Sequence, residues 1–386
     1  MVFLCAFGLS MLAVIALTPA VRSLATRLHF LDYPSRQKAH VRPTPLMGGV
    51  AVALASLASA SAALALIRCP YSARIVGFMS GGLMVIVLGL ADDANGMRPG
   101  TKLAGQTAAA IVMLLSGGLQ GIPLPAPLAF GLALFWMVGL MNAFNFLDNM
   151  DGITSGLAAI ATFGIFTLAL QNGHVPTAIA AISVAGGALG FLRYNFAPAS
   201  IFLGDAGSLF LGYVVGGLSL RAVASAGADA SSLLVPVLML GYPIFDATLV
   251  TVSRLMDGRR LAEGGRDHSS HRLARLGLSA RQTAAAIYIV SVSLTATAVL
   301  VTRFLGARPA ALPLATAAAA GGMAFLGLRL FRVPVTAGAV QSVPGARRVA
   351  VRIPDSEDLA ILVPRDRVYA RERRRAKPSR ETIGAR

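Results

Sequence analysis

The chain has 386 residues, of which 55% are hydrophobic and only 13% are charged, and its mean hydropathy is +0.69. A soluble domain carries roughly 25% charged residues, so the composition excludes an ordinary soluble protein and predicts a membrane protein. The formal net charge is +17 at pH 7. Where the basic residues lie along the chain indicates whether this charge serves nucleic-acid binding or orientation in a membrane.

Long apolar runs recur along the whole chain. A membrane-spanning helix needs about 17–25 consecutive, mostly apolar residues, and eleven segments of the sequence meet this condition. We therefore predict an all-α integral membrane protein with about eleven transmembrane helices. In chain order the predicted spans are 2–21, 47–67, 75–91, 103–119, 127–146, 153–170, 176–192, 207–225, 232–252, 281–302 and 308–331.

The positions of the basic residues predict the orientation. The first segment, MVFLCAFGLSMLAVIAL, lacks the basic start of a cleaved signal peptide, and Arg22 and Arg27 follow it instead. Such an anchor has its N-terminus outside, and eleven spans then leave the C-terminus in the cytoplasm. With this topology 29 of the 34 Lys and Arg residues lie inside, as the positive-inside rule requires. Orientation and anionic inner-leaflet lipids therefore explain the net charge, which requires no nucleic acid.

Polar residues gather in five loops on the predicted cytoplasmic side. In chain order these are LDYPSRQKAHVRPTPLMGG (31–49), ADDANGMRPGTKLAGQ (91–106), NAFNFLDNMDG (142–152), RYNFAPASIFLGDAGS (193–208) and SRLMDGRRLAEGGRDHSSHRLARLGLS (253–279). An ionisable group at the centre of a membrane helix is unfavourable by roughly 2.5–3.5 kcal/mol, so repeated placement of acids at one face indicates a shared purpose. We predict a catalytic cleft on the cytoplasmic face. A transporter would instead place acids near the bilayer midplane.

The residue types in these loops suit one class of reaction. Carboxylate and asparagine oxygens are hard ligands for Mg²⁺ or Mn²⁺, whereas arginine, lysine and histidine bind phosphate oxygens. Gly204 and Gly207 flank Asp205 just before a predicted helix, where backbone N–H groups can approach an anion. The combination predicts phosphoryl transfer to a membrane-embedded substrate. A lipid or solute transporter and a non-catalytic scaffold are the alternatives.

Several of these residues have a purely structural alternative. Asn142 and Asn145 lie three residues apart on one helix face, and asparagine commonly forms hydrogen bonds between membrane helices; we keep that interpretation for Asn142. Asp246, inside an apolar run, is either a buried link to a broken helix or part of the site. His268 and His271 have no cysteine or third histidine nearby, which argues against zinc.

Five loops in this order resemble those of the polyprenyl-phosphate N-acetylhexosamine-1-phosphate transferase family, of the bacterial undecaprenyl-phosphate GlcNAc-1-phosphate transferase type within the glycosyltransferase 4 superfamily. The resemblance covers about residues 1–330. It implies a multi-pass enzyme of the bacterial inner membrane that transfers a sugar 1-phosphate from a UDP-sugar to polyprenyl phosphate, releases UMP and initiates cell-envelope glycan synthesis. It also implies Mg²⁺, with Mn²⁺ as an alternative. The expected sugar is N-acetylglucosamine; another N-acetylhexosamine or the muramoyl-pentapeptide is the alternative, and a homodimer is left open.

The same resemblance implies roles for individual residues. Catalytic roles fall on Asp92, Asp93, Lys102, His268 and His271. Metal ligation falls on Asn145 and Asp205. Substrate contacts fall on Asp148, Asp151, Phe202, Arg266 and Arg272, with Asp151 near the uracil and Phe202 stacked on it. Apart from the resemblance, His40 in the basic first loop is a candidate phosphate contact. Whether Asp92 or Asp93 acts as a base is left open.

Two positions depart from the family pattern. Asn149 stands where many members have glycine, and asparagine also accepts a left-handed backbone. Ser270, in DHSSHRL, stands where many members carry the middle histidine of HLHHRL. A hydroxyl can still donate a hydrogen bond, so we expect activity to be retained, while the change bears on the choice of sugar.

The C-terminal part has a different composition. We predict a membrane catalytic domain at 1–332 and a basic cytoplasmic tail at 333–386, partly disordered or forming a small β-rich appendage. Within the tail, RRVAVRI and DLAILVP could form short strands. RERRRAKPSR is typical of a disordered segment attracted to a membrane surface.

Overall fold

The computed structural model describes residues 1–34, 42–226, 230–260, 265–305 and 310–333, and the backbone of two strands at 346–351 and 359–364. Helices dominate the described part of the chain. They are α1 (Val2–Arg27), α2 (Gly48–Leu66), α3 (Ala73–Asn95), α4 (Pro99–Met113), α5 (Ala126–Leu147), α6 (Ile153–Gln171), α7 (Val175–Asn195), α8 (Gly204–Ala226), α9 (Leu234–Met239), α10 (Gly241–Met256), α11 (Ser269–Arg275), α12 (Ala280–Leu305) and α13 (Ala311–Phe331).

The apolar helices confirm an all-α, multi-pass membrane protein. Within the described residues, nine helices are long and apolar enough to cross a membrane, and α9 and α10 together would make a tenth. The nine are α1, α2, α3, α5, α6, α7, α8, α12 and α13. The α4 helix has only 15 residues and continues as a π-helical turn, Leu114–Gly118. The count of eleven requires α4 with this turn to span the membrane, and it stays a prediction.

Helix α8 is the centre of the bundle. In its most apolar 18-residue stretch 94% of the residues are buried, against 6% in α13. It packs against α2, α3, α5 and α6. At the crossing with α2 the two backbones touch, because a Cβ atom on Gly49 would collide with the backbone of Gly207. Small residues allow membrane helices to approach in this way, and the contact sets the position of the α8 N-terminus.

A bend of 75° separates α9 from α10. Pro243, in the first turn of α10, has no N–H to donate to the carbonyl of Met239, and its ring disfavours a continuous helix. The hydroxyl of Thr295 donates to that carbonyl instead, at 3.4 Å. The sequence predicted a span at 232–252 and left a broken helix as one interpretation of Asp246, and the structure shows the break. It leaves Asp246 of α10 fully buried.

A short antiparallel ladder lies within the first polar loop, and one further hydrogen bond connects it to the fourth loop. Strands β1 (Leu31–Asp32) and β2 (Thr44–Pro45) pair with Leu31 opposite Pro45. The carbonyl of Pro45 also accepts a hydrogen bond from the N–H of Phe202 at 2.8 Å. The segment that precedes α2 is therefore held beside the segment that precedes α8.

The C-terminal residues form a unit of their own. Contacts between Cα atoms divide the chain into the compact units Met1–Val335 and Thr336–Arg386. In the second unit β3 (Ala346–Val351) pairs antiparallel with β4 (Leu359–Pro364). Strand β4 lies within DLAILVP, and β3 overlaps RRVAVRI and begins one residue before it. The assignment of a catalytic domain and a tail stays a prediction.

Candidate active site

Four helix ends bring the predicted residues of loops two, three and four together. Asp92 and Asp93 lie in the last turn of α3, Lys102 in the first turn of α4, Asn145 in the last turn of α5 and Asp205 in the first turn of α8. We call these five residues the carboxylate cluster. The side chains of Asp92, Asn145 and Asp205 meet at Lys102, and Asp93 contacts the backbone of Asp205, although the five residues are spread over more than a hundred residues of sequence.

The ammonium group of Lys102 lies at the centre of the cluster. It donates to Asn145 Oδ1 at 3.1 Å and to Asp205 Oδ2, and it lies 2.8 Å from Asp92 Oδ2. The side chains of Lys102 and Asp92 are only 15% and 12% exposed. A positive charge that is partly withdrawn from water requires such oxygens around it. The three oxygens thus form a site that holds a cation.

Asn145 is oriented by two further hydrogen bonds. Its amide nitrogen donates to Asp205 Oδ1 at 2.7 Å and to Ser208 Oγ at 3.0 Å. Both N–H groups of the amide are therefore used, and its oxygen faces Lys102. Asn145 and Asp205 thus present one oxygen each to the same point.

Asp93 has a different partner from its neighbour. Its carboxylate accepts from the backbone N–H of Asp205 at 2.8 Å and from that of Ala206 at 3.2 Å, so it caps the N-terminus of α8 from another helix. The preceding Gly204 has φ +74°, and a Cβ atom there would lie 2.7 Å from Asp93 Oδ2. Glycine is required at this position both for the backbone and for the contact.

Asp92 faces the cluster and also closes the loop that follows α3. Its Oδ1 accepts from the N–H of Met97 at 2.6 Å, while Oδ2 faces Lys102. The adjacent carboxylates thus point to different partners, which limits the repulsion expected for two neighbouring acids. Asp92 is therefore the member of the pair that contacts Lys102, to which Asn145 and Asp205 are also bound.

The donor atoms of the cluster fit a divalent cation in their chemistry. Two carboxylates and one amide oxygen converge on the ammonium group of Lys102, and hard oxygens of this kind are preferred by Mg²⁺. In the part of the chain that the structure describes, no group of three or more His, Cys, Asp or Glu side chains is arranged to hold a metal. A magnesium site here would therefore rest on Asn145 beside two carboxylates.

A second group of polar residues surrounds the histidine loop. Asp246 of α10 is fully buried, and its Oδ2 lies 2.8 Å from Nδ1 of His268. Its Oδ1 accepts from the backbone N–H of Ser269 at 2.7 Å and from the hydroxyl of Ser269. The hydroxyl of Tyr242 lies 2.7 Å from the same serine. Asp246 is thus a buried link between the broken helix and the loop, and the contact orients the His268 ring.

His271 lies next to this link. Its ring centroid is 6.3 Å from that of His268, and the side chain is half-buried. Burial, together with the like charges of His268 and Arg266, lowers the pKa of His271 to about 4. The imidazole is therefore neutral near pH 7 and offers one donor and one acceptor nitrogen.

Arg272 occupies a different position from the one predicted for it. The side chain is 1% exposed. Nε donates to the carbonyl of Asp267 at 2.9 Å, Nη1 to that of Leu330 at 3.1 Å and Nη2 to Ser253 Oγ at 2.8 Å. These bonds join α10, α11 and the end of α13. The guanidinium is directed into the protein, which disagrees with the predicted substrate contact and makes Arg272 a positioning residue for α11.

A buried ion pair that the sequence does not predict lies beneath the same loop. Arg254 binds Asp267 through two parallel bonds, Nε to Oδ2 at 2.7 Å and Nη2 to Oδ1 at 3.0 Å. Burial alone would raise the pKa of Asp267, but the hydrogen bonds and charge of Arg254 hold that pKa below its usual value. The sequence predicts orienting or phosphate-binding roles for the arginines of loop five, and spacing along the chain gives no signal for this pair.

The end of α5 connects the carboxylate cluster to the histidine loop. Asn145 contacts the first group, while the ring of the next residue, Phe146, lies 6.2 Å from His268. Asn149 accepts a hydrogen bond from the hydroxyl of Ser270 at 2.6 Å and donates to the carbonyl of Phe146 at 2.7 Å. The two residues that depart from the family pattern are therefore direct partners.

Three further predicted residues lie along the same edge. Withdrawal from water, with the negative charges of Asp205 and Asp93, raises the pKa of Asp148 to about 8. Asp151 accepts from the backbone N–H of Ala199 at 2.8 Å, which joins loop three to loop four. Phe202, half-buried in loop four, is held by the ladder described above.

The last two predicted site residues are Arg266 and His40. Arg266 is half-buried at the start of the histidine loop, and its carbonyl accepts from Arg275 Nη2 at 3.3 Å. His40 lies outside the described residues. The predicted structural role of Asn142 is confirmed, because its amide nitrogen donates to Gln106 Oε1 of α4 at 2.7 Å.

Comparison with known proteins identifies the family. The family model described as glycosyl transferase family 4 matches residues 75–223, which contain the whole carboxylate cluster. A Bacillus subtilis (strain 168) protein named "Probable undecaprenyl-phosphate N-acetylglucosaminyl 1-phosphate transferase" is 34% identical over 295 residues, covering 74% of this chain and 81% of the relative.

Two further relatives agree. A decaprenyl-phosphate N-acetylglucosaminephosphotransferase of Mycobacterium leprae (strain TN) is 33% identical over 305 residues, with 70% of this chain and 77% of the relative covered. A phospho-N-acetylmuramoyl-pentapeptide-transferase of Enterococcus hirae is 39% identical over 137 residues, with 32% and 42% covered. The match to the Bacillus relative extends over most of both chains, and the family model covers the segment that builds the site. The chain therefore belongs to the polyprenyl-phosphate N-acetylhexosamine-1-phosphate transferase family, within glycosyl transferase family 4.

Proposed function

We propose that the protein transfers a sugar 1-phosphate, N-acetylglucosamine 1-phosphate in the first place, from a UDP-sugar to polyprenyl phosphate. The products are a polyprenyl-pyrophosphoryl sugar and UMP. The observation that carries the proposal is the cation-holding group of Asp92, Asn145 and Asp205 around Lys102. The names of the Bacillus and mycobacterial relatives support both the acceptor and the sugar.

The reaction balances without an external base. An oxygen of the lipid phosphate attacks the β-phosphorus of the UDP-sugar, the bond from that phosphorus to the bridging oxygen breaks, and UMP leaves with the bonding electrons. A phosphate dianion is already the nucleophile near neutral pH, so neither aspartate of the pair has to remove a proton. The main requirement is stabilisation of negative charge on the phosphates.

The carboxylate cluster is proposed to meet that requirement. Asp92, Asn145 and Asp205 would hold a Mg²⁺ ion, which neutralises pyrophosphate charge when it is bound. Lys102, whose ammonium group contacts these three oxygens in the structure, would move aside when the ion binds and contact a phosphate oxygen next to it. Asp93 is proposed to act on the shape of the site, because its carboxylate is used to cap α8.

The histidine loop is proposed to bind the remaining parts of the donor. Asp246 accepts from Nδ1 of His268, which directs Nε2 away from the carboxylate. His271 and Arg266 lie beside it and would contact the pyrophosphate or sugar. We further propose that Asp151 lies near the uracil and that Phe202 stacks on this ring. Asp148, held largely protonated at pH 7, would donate a hydrogen bond to the UDP-sugar.

The membrane placement belongs to the proposal as well. We infer eleven spans with α4 and its π-helical turn among them, the N-terminus outside, and the cleft on the cytoplasmic face of the bacterial inner membrane. Residues 1–332 would form the catalytic domain and residues 333–386 a cytoplasmic tail. The distribution of basic residues supports this orientation. A transporter receives no support from the relatives.

The direct test is release of UMP by the purified protein in detergent. We expect UMP from UDP-N-acetylglucosamine only when polyprenyl phosphate and a divalent cation are both present. A panel of UDP-N-acetylhexosamines and the UDP-muramoyl-pentapeptide, assayed on the same sample, identifies the sugar. The Asp205→Asn variant should be folded and inactive, whereas Asp257→Asn, an exposed residue outside the site, should keep full activity. A folded protein that releases no UMP from any of these donors would refute the proposal.

A further inference from the structure

A cavity of about 330 Å³ lies at the end of the helix bundle opposite the carboxylate cluster. Residues of α2, α3, α7 and α8 line it, including Arg74 near the start of α3 and Arg221 near the end of α8. At 1.5 Å per residue, Arg74 is about 27 Å from Asp92 along α3, and Arg221 is about 24 Å from Asp205 along α8. The cavity is therefore separate from the site described above.

The wall of the cavity is mainly apolar. Leu64, Phe78, Phe210 and Val214 are among its lining residues. Its volume falls at the lower end of the roughly 300–1,000 Å³ that is usual for small-molecule sites. None of the described residues that line it is acidic. An apolar chain would find a suitable surface here, and a cationic ligand would not.

Two arginines, Arg74 and Arg221, line the same cavity. Arg221 donates through Nη1 to the carbonyl of Gln120 at 3.1 Å. The Nε atom of Arg74 is buried and has no hydrogen-bond partner among the described residues, which is an unfavourable arrangement for a charged group. An arginine that only extended to the membrane surface would place its polar atoms in water. A buried, unsatisfied N–H beside a second guanidinium indicates an anion.

We propose that this cavity binds an anionic glycerophospholipid of the leaflet at that end of the bundle. The lipid phosphate would lie between Arg74 and Arg221, where guanidinium groups match phosphate oxygens, and one acyl chain would occupy the apolar wall. The bound lipid is not the acceptor of the transfer reaction, because the carboxylate cluster is about 24 Å away or more. The site would couple the stability of the outer helix ends to the lipid composition of the membrane.

Native mass spectrometry of the purified protein tests the proposal. Phosphatidylglycerol and phosphatidylcholine with identical acyl chains are added in separate samples, and polyprenyl phosphate in a third. We expect phosphatidylglycerol to be retained and phosphatidylcholine to be lost. The Arg74→Gln/Arg221→Gln variant should bind phosphatidylglycerol about tenfold more weakly or worse, as expected for charge-assisted bonds. Arg303→Gln, exposed and outside the cavity, should bind like the wild type.

A second measurement leaves the arginines intact. Cys69 lines the cavity, and Cys5 and Cys69 are the two cysteines of the chain, so Cys5→Ser leaves a single thiol. Maleimide labelling of Cys69 should be slowed by phosphatidylglycerol and unchanged by phosphatidylcholine. Equal retention of both phospholipids, unchanged labelling, or preferential binding of polyprenyl phosphate would each overturn the proposal.

Discussion

At the scale of single residues, the adjacent acids Asp92 and Asp93 have separate tasks. Asp92 contacts Lys102, whereas Asp93 caps α8 through two backbone N–H groups. The pair itself is visible in the sequence and indicated a site. The division between its members is not, because it depends on where the N-terminus of α8 passes the end of α3.

Because the two acids have separate tasks, substitutions of Asp92 and of Asp93 should have different effects on stability and activity. Asp93→Ala should lower the apparent melting temperature in detergent, since loss of a helix cap is worth about 0.5–2 kcal/mol. Asp92→Asn should abolish UMP release with a smaller change in melting temperature, because its amide oxygen can still accept from Met97. Thermal unfolding and turnover, measured on both variants, check this. Unchanged melting of Asp93→Ala would contradict the capping role.

The contact between Asn149 and Ser270 predicts energetic coupling. Asn149→Gly and Ser270→Ala remove the same hydrogen bond of 2.6 Å, and Asn149→Gly also removes the bond to the carbonyl of Phe146. The double variant should therefore lose less stability or activity than the sum of the single losses. We expect a coupling of about 0.5–1.5 kcal/mol, measured as a double-mutant cycle on unfolding or on UMP release. Ser293→Ala, on α12 and exposed, is the control and should be additive with Asn149→Gly. Additive losses for Asn149→Gly and Ser270→Ala would contradict a direct contact between the two side chains.

His271 predicts a pH dependence of stability. Its pKa is about 4 in the folded protein and near 6.5 in an unfolded chain. Between these values the unfolded state binds more protons, so the free energy of unfolding should rise as the pH rises from about 4 to about 6.5. His271→Gln should show a shallower rise over this range. Melting temperatures of both proteins between pH 4.5 and 7.5 test it, and parallel curves would contradict the buried, neutral state.

At the scale of elements, the break before α10 places Asp246 in contact with His268 and Ser269 of the histidine loop. The apolar pattern predicted the segment but not its bend, because hydropathy does not distinguish a straight span from a broken one. The sequence left two roles open for Asp246, and the buried link is the one that its contacts support. Helix α4 gives a similar lesson, since it begins four residues before the predicted span at 103–119 and changes to a π-helical turn after Met113.

Removal of the Asp246 link should loosen the loop. Asp246→Ala leaves His268 and the N–H of Ser269 without their buried acceptor, which is unfavourable by roughly 1–3 kcal/mol for each group. We expect faster hydrogen exchange in α11 and weaker binding of UDP-sugar, with little change in exchange at α6. Asp257→Asn, on an exposed residue at the end of the same helix, should match the wild type. Equal exchange in α11 for all three proteins would show that Asp246 does not hold the loop.

At the scale of the whole molecule, α8 explains why distant loops meet. It is the most enclosed of the membrane helices, and its N-terminus receives Asp93 from α3 and Asn145 from α5. The sequence predicted that five loops share one face, and hydropathy predicted most helices. It could not predict which side chains touch, because Arg254–Asp267 and Asn149–Ser270 depend on helix crossings. Arg272 shows the same limit, since a basic residue in a predicted phosphate loop is in fact buried.

The central claim is that phosphate, and not the sugar alone, moves to the lipid. The most direct measurement uses UDP-N-acetylglucosamine labelled at the β-phosphorus, polyprenyl phosphate and the purified protein with Mg²⁺. We predict that the label appears in the lipid fraction and that unlabelled UMP accumulates in equal amount. Labelled UDP with no label in the lipid would indicate transfer of the sugar alone and would contradict the account.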